Sequence, residues 1–211
     1  MRRVLACLAI AAGACLAALP AANAEPVADR TDDAAAVQQQ EGRPVINEVQ
    51  TRGAGGTMDQ FIEIANASRT AEVDLSGWYL QIYSSHNTVL QTVFLPEGAT
   101  LLPLGAGPTE EVLWTISSQA FTGAPVDLPG VITVDIPANG GVALFNPGGI
   151  KVDSVAFSAT ATAAVEGQPL APQPANLDQF NPAYGRNVVA QDTNNNLVDF
   201  KLLTRSPGEL N

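Results

Sequence analysis

Asp192, Asn194 and Asn196 set three side-chain oxygens at alternate positions, as at the start of a calcium loop. The rest of such a loop is missing. Leu197 stands where an EF-hand loop needs glycine, and Leu203 where it needs a bidentate glutamate. Runs of Asp and Asn also form turns without any ion. These three residues are the candidate metal ligands, for calcium, and no other cofactor is expected. Acid–base chemistry has fewer resources still. His86 is the single histidine, in the polar turn Ser84-Ser85-His86-Asn87. A hydroxyl nucleophile needs a base held within hydrogen-bond reach, and a solvated turn imidazole is not so held. No catalytic residue is assigned, and the chain is expected not to be an enzyme.

Two further residues have both a chemical and a structural reading. Trp78 could stack on a ligand, but Leu80 and Ile82 share its strand face, so it is expected in the core, with its indole N–H needing one partner. Gly77 before it would permit a bulge or a close backbone approach. Glu63 is expected on a strand's outer face, where it could pair with a basic residue such as Arg186. Asn66 is expected to bond the backbone of the turn that follows.

The elements that must hold these residues are strands. Apolar alternation marks Val45–Thr51, Phe61–Asn66, Trp78–Tyr83, Thr88–Leu95, Glu111–Ile116 and Val131–Ile136. Val142–Phe145 and Val152–Phe157 flank Asn146-Pro147-Gly148-Gly149, a hairpin signal. Residues 159–182 read as a long Ala/Pro/Gln-rich connection, and Leu197–Leu203 as the last strand. No helical period is sustained. Eight or nine strands in residues 44–211 predict an all-β, two-sheet sandwich.

The N-terminus predicts export. Arg2 and Arg3 precede an apolar run from Val4 to Leu19, and Ala22-Asn23-Ala24 fits signal-peptidase cleavage. Residues 1–24 are therefore read as a signal peptide and Glu25 as the mature start. Two alternatives stay open: an uncleaved anchor, and a lipoprotein with Cys15 lipidated after Ala12-Gly13-Ala14. Residues 25–43 have little apolar bulk and read as a flexible linker. Both cysteines, Cys7 and Cys15, lie within the signal, so the fold must rely on its core rather than on disulfides. No other segment is long and apolar enough to span a membrane.

Cleavage at Ala24 leaves 187 residues with eight basic and 21 acidic side chains, a net charge of −13. Such a surface repels nucleic-acid backbones and anionic membranes at long range. The basic residues Arg30, Arg43, Arg52, Arg69, Lys151, Arg186, Lys201 and Arg205 are scattered in sequence. Folding could gather a few, for example Arg186 with Lys201 and Arg205. Tight binding of duplex DNA is not expected.

Five stretches in order are similar to the lamin-tail domain family of secreted bacterial type. Val45-Ile46-Asn47-Glu48-Val49 and Phe61-Ile62-Glu63-Ile64-Ala65-Asn66 resemble its first two strands. Asp74-Leu75-Ser76-Gly77-Trp78 is the most specific piece. Gly140–Asn146 with Val152–Phe157 resembles the late hairpin, and Asp192–Phe200 with Pro207–Asn211 the closing strand and tail. The segment around 96–130 and the 159–182 loop depart from the pattern. The resemblance implies an Ig-like sandwich without a catalytic centre. The family's members bind proteins or nucleic acids or accompany secreted hydrolases; with the export signal this gives the expectation of a secreted binding or structural module whose partner is an extracellular or cell-envelope protein or polymer. The alternative is an accessory to secreted nuclease or phosphoesterase chemistry, associated with nucleic acid.

Overall fold

The computed structural model describes residues 42–211. The signal peptide, Cys15, the Glu25 start and all of the linker up to residue 41 lie outside the described residues. Order reaches slightly further upstream than Pro44. The Arg43 N–H donates to Asn66 Oδ1 at 3.0 Å, and its guanidinium meets Asp192 at 2.9 Å.

The chain forms β1 (Pro44–Gln50), β2 (Phe61–Asn66), β3 (Val73–Asp74), β4 (Tyr79–Tyr83), β5 (Val89–Phe94) and β6 (Thr100–Leu101). There follow β7 (Leu113–Ser118), β8 (Leu128–Ile132), β9 (Gly141–Phe145), β10 (Lys151–Ala156) and β11 (Pro182–Gly185). A one-turn helix α1 (Asn196–Asp199) precedes β12 (Lys201–Thr204). One sheet has the order β12-β11-β1-β2-β7-β8, a second β10-β9-β4-β5, and β3 pairs with β6. Together they make an Ig-like β-sandwich. Ile46, Ile62 and Ile64 of the first sheet pack with Leu80, Ile82, Val142, Leu144 and Val155 of the second, all fully buried. Burying such a side chain stabilises the fold by about 1.5–3 kcal/mol.

Three expectations shift. The strand read at Val131–Ile136 is β8, Leu128–Ile132, which crosses Pro129-Gly130. It is an outer strand pairing parallel with β7, so proline breaks no ladder. Leu197–Leu203 divides into α1 and β12, because the Asp199 carboxylate accepts from Thr193 and Asn195 N–H groups and closes a turn. The 159–182 connection is followed by β11, a strand not expected, paired on both sides by β1 and β12. With the short β3 and β6, it brings the count to twelve.

The hairpin signal is met as expected. Gly149, at φ +77°, closes the β9–β10 turn with its N–H on the Asn146 carbonyl at 2.9 Å. Gly77, at φ +75°, allows the turn in which the Trp78 N–H reaches the Leu75 carbonyl. Among the described residues no helix is long and apolar enough to cross a membrane.

Candidate functional site

At one end of the sandwich the residue before β1, the loop after β2, the start of β4 and the β9–β10 turn enclose an open cleft of about 880 Å³. Antiparallel pairing of β1 with β2 brings Pro44 opposite Asn66, and this gathers distant sequence. Arg43, Arg69, Trp78, Ile150, Lys151 and Asp192 line the cleft. Trp78 is half-buried there, leaning on the core with part of its surface in the cleft. That corrects the expectation of a core tryptophan: it precedes β4 rather than sitting in it, so the inward alternation of Leu80 and Ile82 does not carry it along. Its indole N–H donates to no described residue.

Arg43 is neutralised by Asp192. Arg69 forms no ion pair among the described residues, and Lys151 Nζ donates to the Ala163 carbonyl at 3.2 Å. The cleft therefore carries two positive charges with no ion-pair partner among the described residues. A second hollow, of about 560 Å³ beside Phe121 and β8, has no charged side chain in its walls.

Asp192, Asn194 and Asn196 do not converge. Asn196 is buried and fully used: its Oδ1 accepts from Ala156 and Glu166 N–H groups, and its Nδ2 donates to the Ser154 carbonyl. Asp192 receives Arg43 and the Asn194 N–H. Asp192 instead belongs to a group with Asp153 and Glu166, whose carboxylate oxygens lie within 4.8 Å of one another. The cation of that group is Arg186, fully buried and 2.9 Å from Asp153, 3.2 Å from Asp199 and 3.6 Å from Asp192. Burial, and then the charge of Asp153, push Glu166 up to about 8.

Glu63 is not on an open face and does not meet Arg186. It is fully buried, and its carboxylate accepts from Asn47 Nδ2 at 2.9 Å, Thr115 Oγ1 at 3.0 Å and the Gly208 N–H at 2.6 Å. The C-terminal tail covers β2 and turns its outer face into a second buried layer. Asn66 does bond turn backbone, through the Ser68 N–H and the Ala71, Leu101 and Leu102 carbonyls. His86 is exposed in its turn, 3.1 Å from Ser85 Oγ.

The basic residues do not form the C-terminal group considered from sequence. Arg186 is buried, and Arg205 meets Asp59 at 3.3 Å with its guanidinium over the Phe121 ring. Arg43, Arg69 and Lys151, which composition left unassigned, are the ones the fold brings together.

The sequence matches the Lamin Tail Domain family model over residues 37–159, more than half of the chain. The chain belongs to this family. Lamin tail domains are non-enzymatic and Ig-like, in keeping with a binding or structural module. No curated protein is significantly similar to the sequence. In this lamin tail domain the match ends just after β10, yet β11 and β12 complete the larger sheet. The cleft lies largely within the matched region, with Asp192 and Asn194 added from beyond it.

The half-buried position of Trp78 changes what its removal should do. Trp78→Ala is expected to cost about 1–3 kcal/mol, below the 3–5 typical of a fully enclosed aromatic. Urea denaturation checks this: a loss above about 4 kcal/mol would return Trp78 to a purely core role.

Proposed function

We propose that this lamin tail domain is of secreted type. It acts without catalysis, as a binding module at the cell surface or outside. The observation that carries this reading is the cleft. Three of the seven basic residues between 42 and 211 line it, against one of the sixteen acidic ones. On a strongly acidic protein that inversion makes a local attractive field for an anionic partner. The partner is an extracellular or cell-envelope protein or polymer, and the domain does not depend on a bound cofactor.

Export is tested by N-terminal sequencing of material recovered outside producing cells. Glu25 is the expected first residue; a lipid on Cys15 would mean a lipoprotein. Binding is tested by co-sedimentation of the exported protein with the cell-envelope fraction. Arg69→Ala/Lys151→Ala should release it. Both residues are exposed and neither carries the fold, so equal melting of the variant isolates the loss of binding.

Duplex DNA should not be the partner. Its binding draws on several Lys and Arg displacing counterions, and the cleft has only two charges without an ion pair among the described residues, on a strongly acidic protein. In a gel-shift titration at physiological salt no saturable complex is expected at or below about a micromolar. A complex in that range would make nucleic acid the partner.

A further inference from the structure

We infer that the ligand of the cleft is an anionic polysaccharide, one whose sugar rings carry carboxylate groups. This rests on the reading of the cleft as the binding site and names what it would hold. Part of the backbone around the cleft is already paired. The Ala67 N–H is on the Arg43 carbonyl, and the Ser68 carbonyl takes the Leu104 N–H. The Asn146 N–H is on the Ile150 carbonyl, and the Ile150 N–H is on Asn146 Oδ1. A peptide that adds a strand needs free N–H and C=O groups along an edge; β10 is the outer strand that reaches the cleft, and a register shift between Lys151 and Asp153 interrupts its edge there. Recognition falls to side chains.

Those side chains favour an acceptor-rich ligand with an apolar face. Arg69 offers a planar fork that grips a carboxylate through two parallel bonds. Lys151 adds a movable point charge. The Trp78 indole offers an N–H without a partner among the described residues, suited to a hydroxyl oxygen, beside an apolar wall. Ile150, 66% exposed, extends that wall. A uronate ring matches this set: a face of C–H bonds, hydroxyl acceptors and one carboxylate. Its stiff rings lose less freedom on binding than a peptide chain would. A single-stranded nucleic acid also combines rings with anions, but its recognition rests on several aromatic faces on which successive bases stack, and Trp78 is the one aromatic side chain among the described residues lining the cleft.

The full exported chain is titrated with oligogalacturonate by calorimetry and tryptophan fluorescence. Neutral dextran, polyglutamate and a single-stranded oligonucleotide of matched charge serve as comparisons. Oligogalacturonate is expected to bind most tightly, more weakly as salt rises. Arg69→Ala/Lys151→Ala should weaken it tenfold or more with unchanged melting. Trp78→Phe, which keeps a ring and removes the N–H, should weaken it severalfold. Tighter binding of polyglutamate or the oligonucleotide would overturn the inference, as would binding indifferent to the double variant. If the double variant loses the envelope fraction while no oligogalacturonate binds, the ligand class falls and the cleft stands. If envelope binding ignores the double variant, the cleft reading falls as well.

Discussion

Arg186→Met is expected to destabilise this protein by about 3–5 kcal/mol, the cost of stranding a buried charge without its partner. Arg186 has no solvent exposure. Its Nε donates to the Ile46 carbonyl at 2.8 Å, its Nη1 to the Gln191 carbonyl at 2.7 Å, and its Nη2 to both oxygens of Asp153 at 2.9 and 3.0 Å. The Phe200 ring lies 4.4 Å from the guanidinium carbon. One side chain thus ties the end of β11 to β1, β10 and the segment around α1. Methionine fills similar volume but leaves Asp153 without a cation, held by the Ile46 and Ser154 N–H groups and the Glu166 carboxyl. Arg186→Lys should recover little, since an ammonium cannot span the same fork of acceptors. Arg186→Met with Asp153→Asn should recover part of the loss, because one stranded charge is gone while Asp199 stays without its ion pair. Urea denaturation reads all three, and a loss below about 1 kcal/mol for Arg186→Met would show that the network is not needed.

That network marks where sequence reading stops. Strand periods found β2, β4, β9 and β10, because alternation is a local property that burial of one face imposes. Phe61 and Glu63 also alternate against Ile62 and Ile64, yet both faces of β2 are buried. Nothing local shows that the tail around Ser206–Gly208 will lie over the second face. Hence Glu63 was expected to be open to Arg186, when the two belong to separate buried groups. β11 carries no local strand signal, because Pro182-Ala183-Tyr184-Gly185 begins with proline and ends with glycine. Its neighbours on both sides impose the extended form. The cleft was legible only through topology. Arg43, Arg69, Trp78 and Lys151 flank four different strands, and each falls at the same end once β1–β2 and β9–β10 are paired. Charge counting along the chain could not find this. The Gly77-Trp78 pair suggests a bulge or close approach, where the structure has a turn, and it does not say how far the indole sinks into the core.

Raising the pH from about 5 to about 9 is expected to destabilise the protein by several kcal/mol. The main cause is a pair of carboxyls, Glu48 on β1 and Glu63 on β2, which face each other in register; Glu166, also pushed up to about 8, adds in the same direction. Both have no solvent exposure, and no cation bonds either one among the described residues. Burial, and then the charge of Glu63, push Glu48 up to about 8. Burial pushes Glu63 up to about 7, although the Gly208, Asn47 and Thr115 donors pull the other way and Asp127 adds a little repulsion. In the unfolded chain both titrate near 4.5. Between 4.5 and 8 the native state therefore holds more protons than the unfolded one, and stability falls with rising pH. It is fully present below about 4.5 and lost once both groups ionise near 8. At ~1.4 kcal/mol for each unit of difference the two shifts give several kcal/mol, an upper bound because the pair is coupled.

Glu63→Gln should remove much of this slope. Asn47 Oδ1 is buried without a partner. Turning the Asn47 amide over would let that oxygen accept the new side-chain N–H, while the remaining carbonyl still receives Thr115 and Gly208. The variant is expected to match the parent near pH 5 and to melt about 4–8 °C higher near pH 9, at ~2–4 °C per kcal/mol for a domain of this size. Because the Ser206 N–H lies 3.1 Å from Glu48 and the Gly208 N–H bonds Glu63, ionisation should first loosen the tail. Hydrogen exchange at Ser206 and Gly208 should then quicken with pH more than the intrinsic rate does. Melting curves that rise or stay flat from pH 5 to 9 would show that the pair is already ionised in the folded protein.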